Sequence, residues 1–230
     1  MILPFWDPTF TFLIPAMLLA GYAQWKVQST FAEFSKHRSH KGTLASEVVN
    51  EILQAEGATA VKIEATPGQL SDNYDPRDKT LRLSEPVFHS DSISAIAVAA
   101  HEAGHAIQDA NAYGPLKFRQ TIVPVSNFGS MLAFPLFFFG LFLGAPFLMD
   151  IGILFFSGAV AFTLLTLPVE YKASARALTL LEKGNFLTSE ELPMARKVLM
   201  AAALTYVAAM AVALMNLLRL LALRGMSRNR

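Results

Sequence analysis

The sequence predicts an α-helical integral membrane protein that carries a small α+β soluble part, and three observations point to it. Of the 230 residues, 53% are hydrophobic, 18 of them phenylalanine, and the mean hydropathy is positive, which is too apolar for an ordinary soluble domain. Residues 8–23, 121–144, 146–168 and 198–218 are nearly uncharged, and the last three approach the roughly twenty residues that cross a bilayer as a helix. Between the first and second of these lies a polar stretch with both helical and alternating periodicity.

Taken in order, residues 1–25 read as a transmembrane anchor, although Pro15 interrupts a short run. Ala20-Gly21-Tyr22-Ala23 has the small residues of a signal-peptide cleavage site. However, no Lys or Arg precedes the apolar run and Lys26 follows it, which favours a retained anchor with its N-terminus outside. Residues 26–120 form the soluble part. Within it, Ala45, Val48, Val49, Ile52 and Leu53 share one helical face that Gly57 can end. Val61 and Ile63, then Leu81 and Leu83, alternate with polar residues as short strands, with turns at Pro67-Gly68 and Asp75-Pro76; they read as a small sheet or a hairpin.

Residues 121–168 read as a transmembrane hairpin with Asp150 near its external turn, residues 169–197 as a helix and connector, and residues 198–230 as a transmembrane or interfacial helix with a basic tail. Fifteen of the nineteen Lys and Arg residues fall in 26–119 and 172–197, which the hairpin puts on one side of the membrane. The positive-inside bias makes that side cytoplasmic, in a multi-pass protein of the plasma membrane. Arg224, Arg228 and Arg230 follow the last apolar stretch and run against the bias if it spans.

The chemistry lies in His101-Glu102-Ala103-Gly104-His105, which runs out of the apolar segment 94–100. Four residues is about one helical turn, so both imidazoles can face one metal ion with Glu102 beside it as a general base, the arrangement of a zinc hydrolase. Asp91 or Ser92 can cap this helix and Gly114-Pro115 can close it. Read without a metal, the same residues are two histidines in a packed helix.

A hydrolytic zinc site takes three protein ligands and leaves a position for water. Cysteine is absent, which also removes disulfides and fits a reducing compartment. His37 and His40 sit in a basic polar run and His89 precedes the helix cap, so all three read as surface residues. Glu170 is the better third donor, since an acid directly after a long apolar segment needs a partner; the alternative is an interfacial carboxylate paired with Lys172 or Arg176. Arg176 could orient that ligand, stabilise an oxyanion or bind lipid phosphate, and Tyr74 could reach the oxyanion or pack as a ring.

The chain resembles the YugP-like membrane zinc metallopeptidases, themselves distantly similar to the HtpX heat-shock proteases. The residues that carry the resemblance are Asn73-Tyr74-Asp75-Pro76, Leu81-Arg82-Leu83-Ser84, the run from Ala97 through His101-Glu102-Ala103-Gly104-His105 to Gln108, and Leu167-Pro168-Val169-Glu170 with Ala173, Ser174 and Arg176. They cover most of the chain in order and spacing. The resemblance implies a zincin-like soluble part of the gluzincin type, one zinc ion held by His101, His105 and Glu170, and Glu102 as the catalytic base. Asn73 stands where relatives commonly carry histidine, and Lys172 where they carry an acid. Ser174 stands where many glutamate-ligand enzymes carry an aspartate that orients a zinc-bound histidine.

These readings lead to a membrane-embedded zinc endopeptidase whose partners are a peptide or protein substrate, membrane proteins included, and the lipid bilayer. The competing reading is a non-catalytic, zinc-stabilised scaffold, but structural zinc sites usually have four protein ligands and only three candidates are found. Transport is disfavoured because the apolar stretches hold almost no ionisable residues. Nucleic-acid binding is disfavoured by a net charge of only +1 with dispersed basic residues.

Overall fold

The computed structural model describes residues 8–228; the first seven residues of the expected anchor, and Arg230 of the expected basic tail, lie outside the described residues. A 3-10 turn at Pro8–Phe12 leads into helix α1 (Leu13–Phe34), followed by α2 (Ala45–Ala55), strands β1 (Lys62–Thr66), β2 (Asn73–Asp75) and β3 (Thr80–Ser84), and the short α3 (Glu85–Phe88). Helices α4 (Ile93–Ala110), α5 (Gly114–Leu143), α6 (Pro146–Lys183) and α7 (Leu192–Arg228) complete the chain. It divides into two compact units, one of Met1–Gln24, Phe118–Leu167 and Leu204–Arg230, the other of Trp25–Lys117 and Pro168–Ala203.

The first unit holds most of the apolar helix. Among the described residues three helices are long and apolar enough to cross a membrane: Gly114–Leu143, Pro146–Lys183 and Leu192–Ser227. Helix α1 is not in that set, because its 22 residues include Gln24, Lys26, Gln28 and Glu33. Helices α5 and α6 pack backbone to backbone where glycine removes the side chain: a Cβ on Gly152 would lie 2.7 Å from the Ala133 carbonyl oxygen, and one on Gly140 would lie 2.7 Å from the Met149 nitrogen. At one end of this unit Arg224 donates two hydrogen bonds to Asp150, Nε to Oδ1 at 2.7 Å and a terminal nitrogen to Oδ2 at 3.0 Å. The arginine that ran against the charge bias is thus matched by the acid near the α5–α6 turn.

The second unit is built on α4. Helix α2 buries Ala45, Val48, Val49, Ile52 and Leu53, the face its periodicity marks, and packs on α4; Gly57, at φ +74°, turns the chain out of the helix. The N-terminus of α4 is capped by Ser92, whose Oγ accepts from the Ala95 N–H at 3.3 Å, while Asp91 instead pairs with Arg38 at 2.6 Å. The helix stops at Ala110, and Gly114-Pro115 opens α5 instead of closing α4. Proline's fixed φ and missing N–H suit a first helical turn, so the same dipeptide serves as a start signal.

The sheet has the order β1-β3-β2. β1 runs parallel to β3, pairing Ile63 with Leu81 and Ala65 with Leu83, and β2 runs antiparallel to β3 on its other edge, pairing Tyr74 with Leu81. A parallel pair is not a hairpin, so β2 supplies the antiparallel partner. Three residues are too few to show alternation, which is why β2 does not stand out as a strand in the sequence.

One contact positions everything that follows. Gly104 of α4 lies against Ala173 of α6, so closely that a Cβ at Gly104 would lie 2.8 Å from the Ala173 carbonyl oxygen and 3.3 Å from its Cα. Gly104→Val must push the two helices apart, at a cost of about 1–3 kcal/mol. We expect a lower melting temperature in detergent together with loss of bound metal measured by atomic absorption; full metal retention would refute this role of the contact.

Candidate metal centre

His101 and His105 stand one turn apart on α4, with ring centroids 4.8 Å apart and planes at 87°. Glu170 stands on α6, two residues after Pro168. Its Oε2 lies 3.3 Å from Nε2 of His101 and 3.3 Å from Nε2 of His105. The site is shielded: the Glu170 side chain is 3% exposed and the two histidine side chains are 13% and 10% exposed.

These donors could hold a metal ion, and their spacing suits one, since one ligand atom from each of the three residues lies within 4.8 Å of the others. Ligands bound at 2.0–2.1 Å to a tetrahedral zinc stand about 3.3 Å from each other, the separation seen between Glu170 and each imidazole. The far side of each ring is also engaged. Nδ1 of His101 lies 3.0 Å from Ser174 Oγ, and Nδ1 of His105 lies 3.1 Å from Gln108 Oε1. When the hydroxyl and the amide oxygen accept from Nδ1–H, both Nε2 atoms present lone pairs toward Glu170. Gln108 is itself fixed, because its Nε2 donates to the Val169 carbonyl at 3.1 Å.

Glu102 has its own partner outside this triad. Its Oε2 accepts the Tyr74 backbone N–H at 2.9 Å, which ties it to β2. The Tyr74 hydroxyl donates to Asp109 Oδ2 at 2.9 Å, so the ring is clamped between β2 and the last turn of α4. Burial raises the Glu102 carboxyl above its ordinary value, partly offset by the nearby histidines.

The structure therefore brings together His101, His105 and Glu170, with Ser174 against one ring. It places the Tyr74 hydroxyl on Asp109. Arg176 lines a separate cavity with Gln108, Asn111, Tyr113 and Lys172. His37, His40 and His89 are exposed, and His89 packs edge-on against Phe88. Two participants were not singled out from the sequence. Gln108 lies three residues after His105 on the same helical face, a spacing that could have flagged it, whereas nothing local marks Asp109.

If Ser174 and Gln108 orient the imidazoles, their removal weakens metal binding without unfolding the chain. Ser174→Ala and Gln108→Ala should each lower zinc affinity by about 10–100-fold. Competition with a chromophoric chelator measures it, and unchanged affinity in both variants would remove the two residues from the site.

Comparison with known proteins accords with this geometry. Residues 9–225 match the model of a family described as "Putative neutral zinc metallopeptidase". The chain is 47% identical over 211 residues to the "Putative membrane protease YugP" of Bacillus subtilis (strain 168), covering 91% of this chain and 94% of that protein. No solved structure gives a significant match. A match over nearly the whole chain, together with a relative of this similarity, places the chain in the neutral zinc metallopeptidase family.

Proposed function

We propose that this protein is a membrane-embedded endopeptidase that hydrolyses peptide bonds with one zinc ion held by His101, His105 and Glu170 and with Glu102 as general base. The observation that carries the reading is the pair of 3.3 Å approaches of Glu170 to two imidazoles one turn apart. A zinc ion at such a triad supplies an activated water and polarises a scissile carbonyl. Glu102 takes the proton of the attacking water and delivers it to the leaving amine. The Tyr74 N–H keeps one oxygen of Glu102 occupied and so fixes the direction of the other. Gln108 Oε1 can only accept and so favours the Nδ1–H tautomer of His105, while Ser174 fixes the orientation of the His101 ring.

β2 pairs with β3 along one side and lies at the edge of the sheet, tied to the residue that does the proton transfer. An extended substrate segment can pair with such an edge through its backbone, which gives affinity with little demand on side chains. The substrates in this reading are peptides or proteins, membrane proteins among them. The three-donor set among the described residues leaves a coordination position open, as catalysis needs and a closed structural site does not.

From the charge bias we place the site on the cytoplasmic side of the plasma membrane. Two experiments test the reading. Glu102→Gln should keep zinc and lose cleavage, read by comparing protein N-termini in cells carrying either form; equal cleavage by both would end the assignment. The chain has no cysteine, so a single cysteine at exposed Glu85 can report sidedness. It should react with a membrane-impermeant maleimide only after permeabilisation, and labelling of intact cells would reverse the orientation.

A further inference from the structure

The cavity lined by Gln108, Asn111, Tyr113, Lys172 and Arg176 has a volume of about 340 Å³ and takes no part in the proposed reaction. On α6, Glu170 and Ser174 face the histidines. At about 100° per residue, Lys172 and Arg176 fall on the roughly opposite side of the same helix. The cavity is therefore off the back of the metal centre, and Gln108 is the residue common to both.

Its chemistry has one sign. Two cations and two side-chain amides line it, and none of the lining residues is an acid. Neither Lys172 nor Arg176 forms an ion pair with a carboxylate among the described residues. The nearest acid in sequence, Asp109, is engaged by the Tyr74 hydroxyl. Lys172 Nζ stands 4.9 Å from the centroid of the Tyr113 ring, which holds the ammonium at the cavity by cation–π attraction. Gln108 offers a further donor, since its amide carries two hydrogens and the bond to Val169 uses one. Along the chain, Lys172 follows the apolar stretch 146–168 by four residues and Tyr113 precedes the stretch 121–144 by eight. Tyrosine, lysine and arginine at the ends of apolar stretches are the residues that meet phospholipid headgroups.

We infer that this cavity is a phosphate-group site, with Lys172 and Arg176 as its charge contacts and Gln108 and Asn111 as neutral donors. A guanidinium suits two-point contact with phosphate oxygens, and a lysine adds a point charge. The source is a lipid headgroup or free phosphate. An anion there would also engage the residue that orients His105, linking site occupancy to the metal centre.

The test uses the full-length zinc-loaded protein in detergent and measures retention of phosphatidylglycerol against phosphatidylcholine by native mass spectrometry, with and without inorganic phosphate as competitor. The wild type should retain the anionic lipid about tenfold or more in preference, the scale of two basic residues at an anionic surface. K172Q/R176Q should lose that preference while keeping its zinc, and the charge-conserving K172R/R176K should keep it. Should the glutamine variant fail to fold, the single K172Q replaces it, with a smaller loss expected. Displacement of the lipid by inorganic phosphate identifies the phosphate group itself as the ligand, and a preference that survives phosphate identifies the lipid as the source. Equal retention of both lipids by the wild type with no phosphate binding, or an undiminished preference in the glutamine variants, would overturn the inference. Because the readout is binding and not cleavage, it stands or falls independently of the peptidase reading.

Discussion

The candidate metal centre depends on a contact that contains none of the three residues that could hold the ion. Gly104 sits between His101 and His105 on α4, and Ala173 sits one turn beyond Glu170 on α6. Where they meet, the helix backbones are separated by less than a Cβ would need. A carboxylate on a short side chain can reach two imidazoles on a neighbouring helix only when the backbones come this close. Any larger residue at position 104 would hold Glu170 away from both rings, so glycine here is a requirement of reach more than of conformation.

Around that crossing, each reactive group is held by a second group, from α6, from the next turn of α4 or from β2. His101 is held by Ser174, His105 by Gln108, and Glu102 by the backbone of β2. The partners of the imidazoles are neutral. A hydroxyl and an amide fix ring orientation, as the aspartate common in glutamate-ligand enzymes would, but add no negative charge to a buried site that already contains Glu102 and Glu170. Since burial disfavours each extra charge, neutral partners orient the rings at a smaller desolvation cost. The Tyr74–Asp109 bond completes the arrangement by tying the strand that holds Glu102 to the helix that carries it.

Local features of the fold were legible in the residues. The buried face of α2 follows from apolar spacing, the N-terminus of α4 from Ser92, and the apolar helices from their length and composition. Ambiguity arose where one local signal has two meanings. Gly114-Pro115 can end a helix or begin one, and two alternating segments can pair in either direction. Residues 73–75 carry too little pattern to be read as a strand, yet as β2 they make the bond that orients Glu102.

By itself the sequence determined the candidate metal-binding helix, because the His101 and His105 spacing is a property of one turn of backbone and needs no other part of the chain. It also marked Glu170, since an acid at the end of an apolar run is an unfavourable placement that calls for a partner. Only the tertiary structure decided which partner. The contacts from Glu170 and Ser174 to the histidines span 65 to 73 residues, and distances over such separations are set by how helices pack, which no local periodicity encodes. The same holds for the cavity behind the site: Tyr113, in the connection after α4, and Lys172 on α6 are far apart in the sequence and become neighbours only in the folded chain.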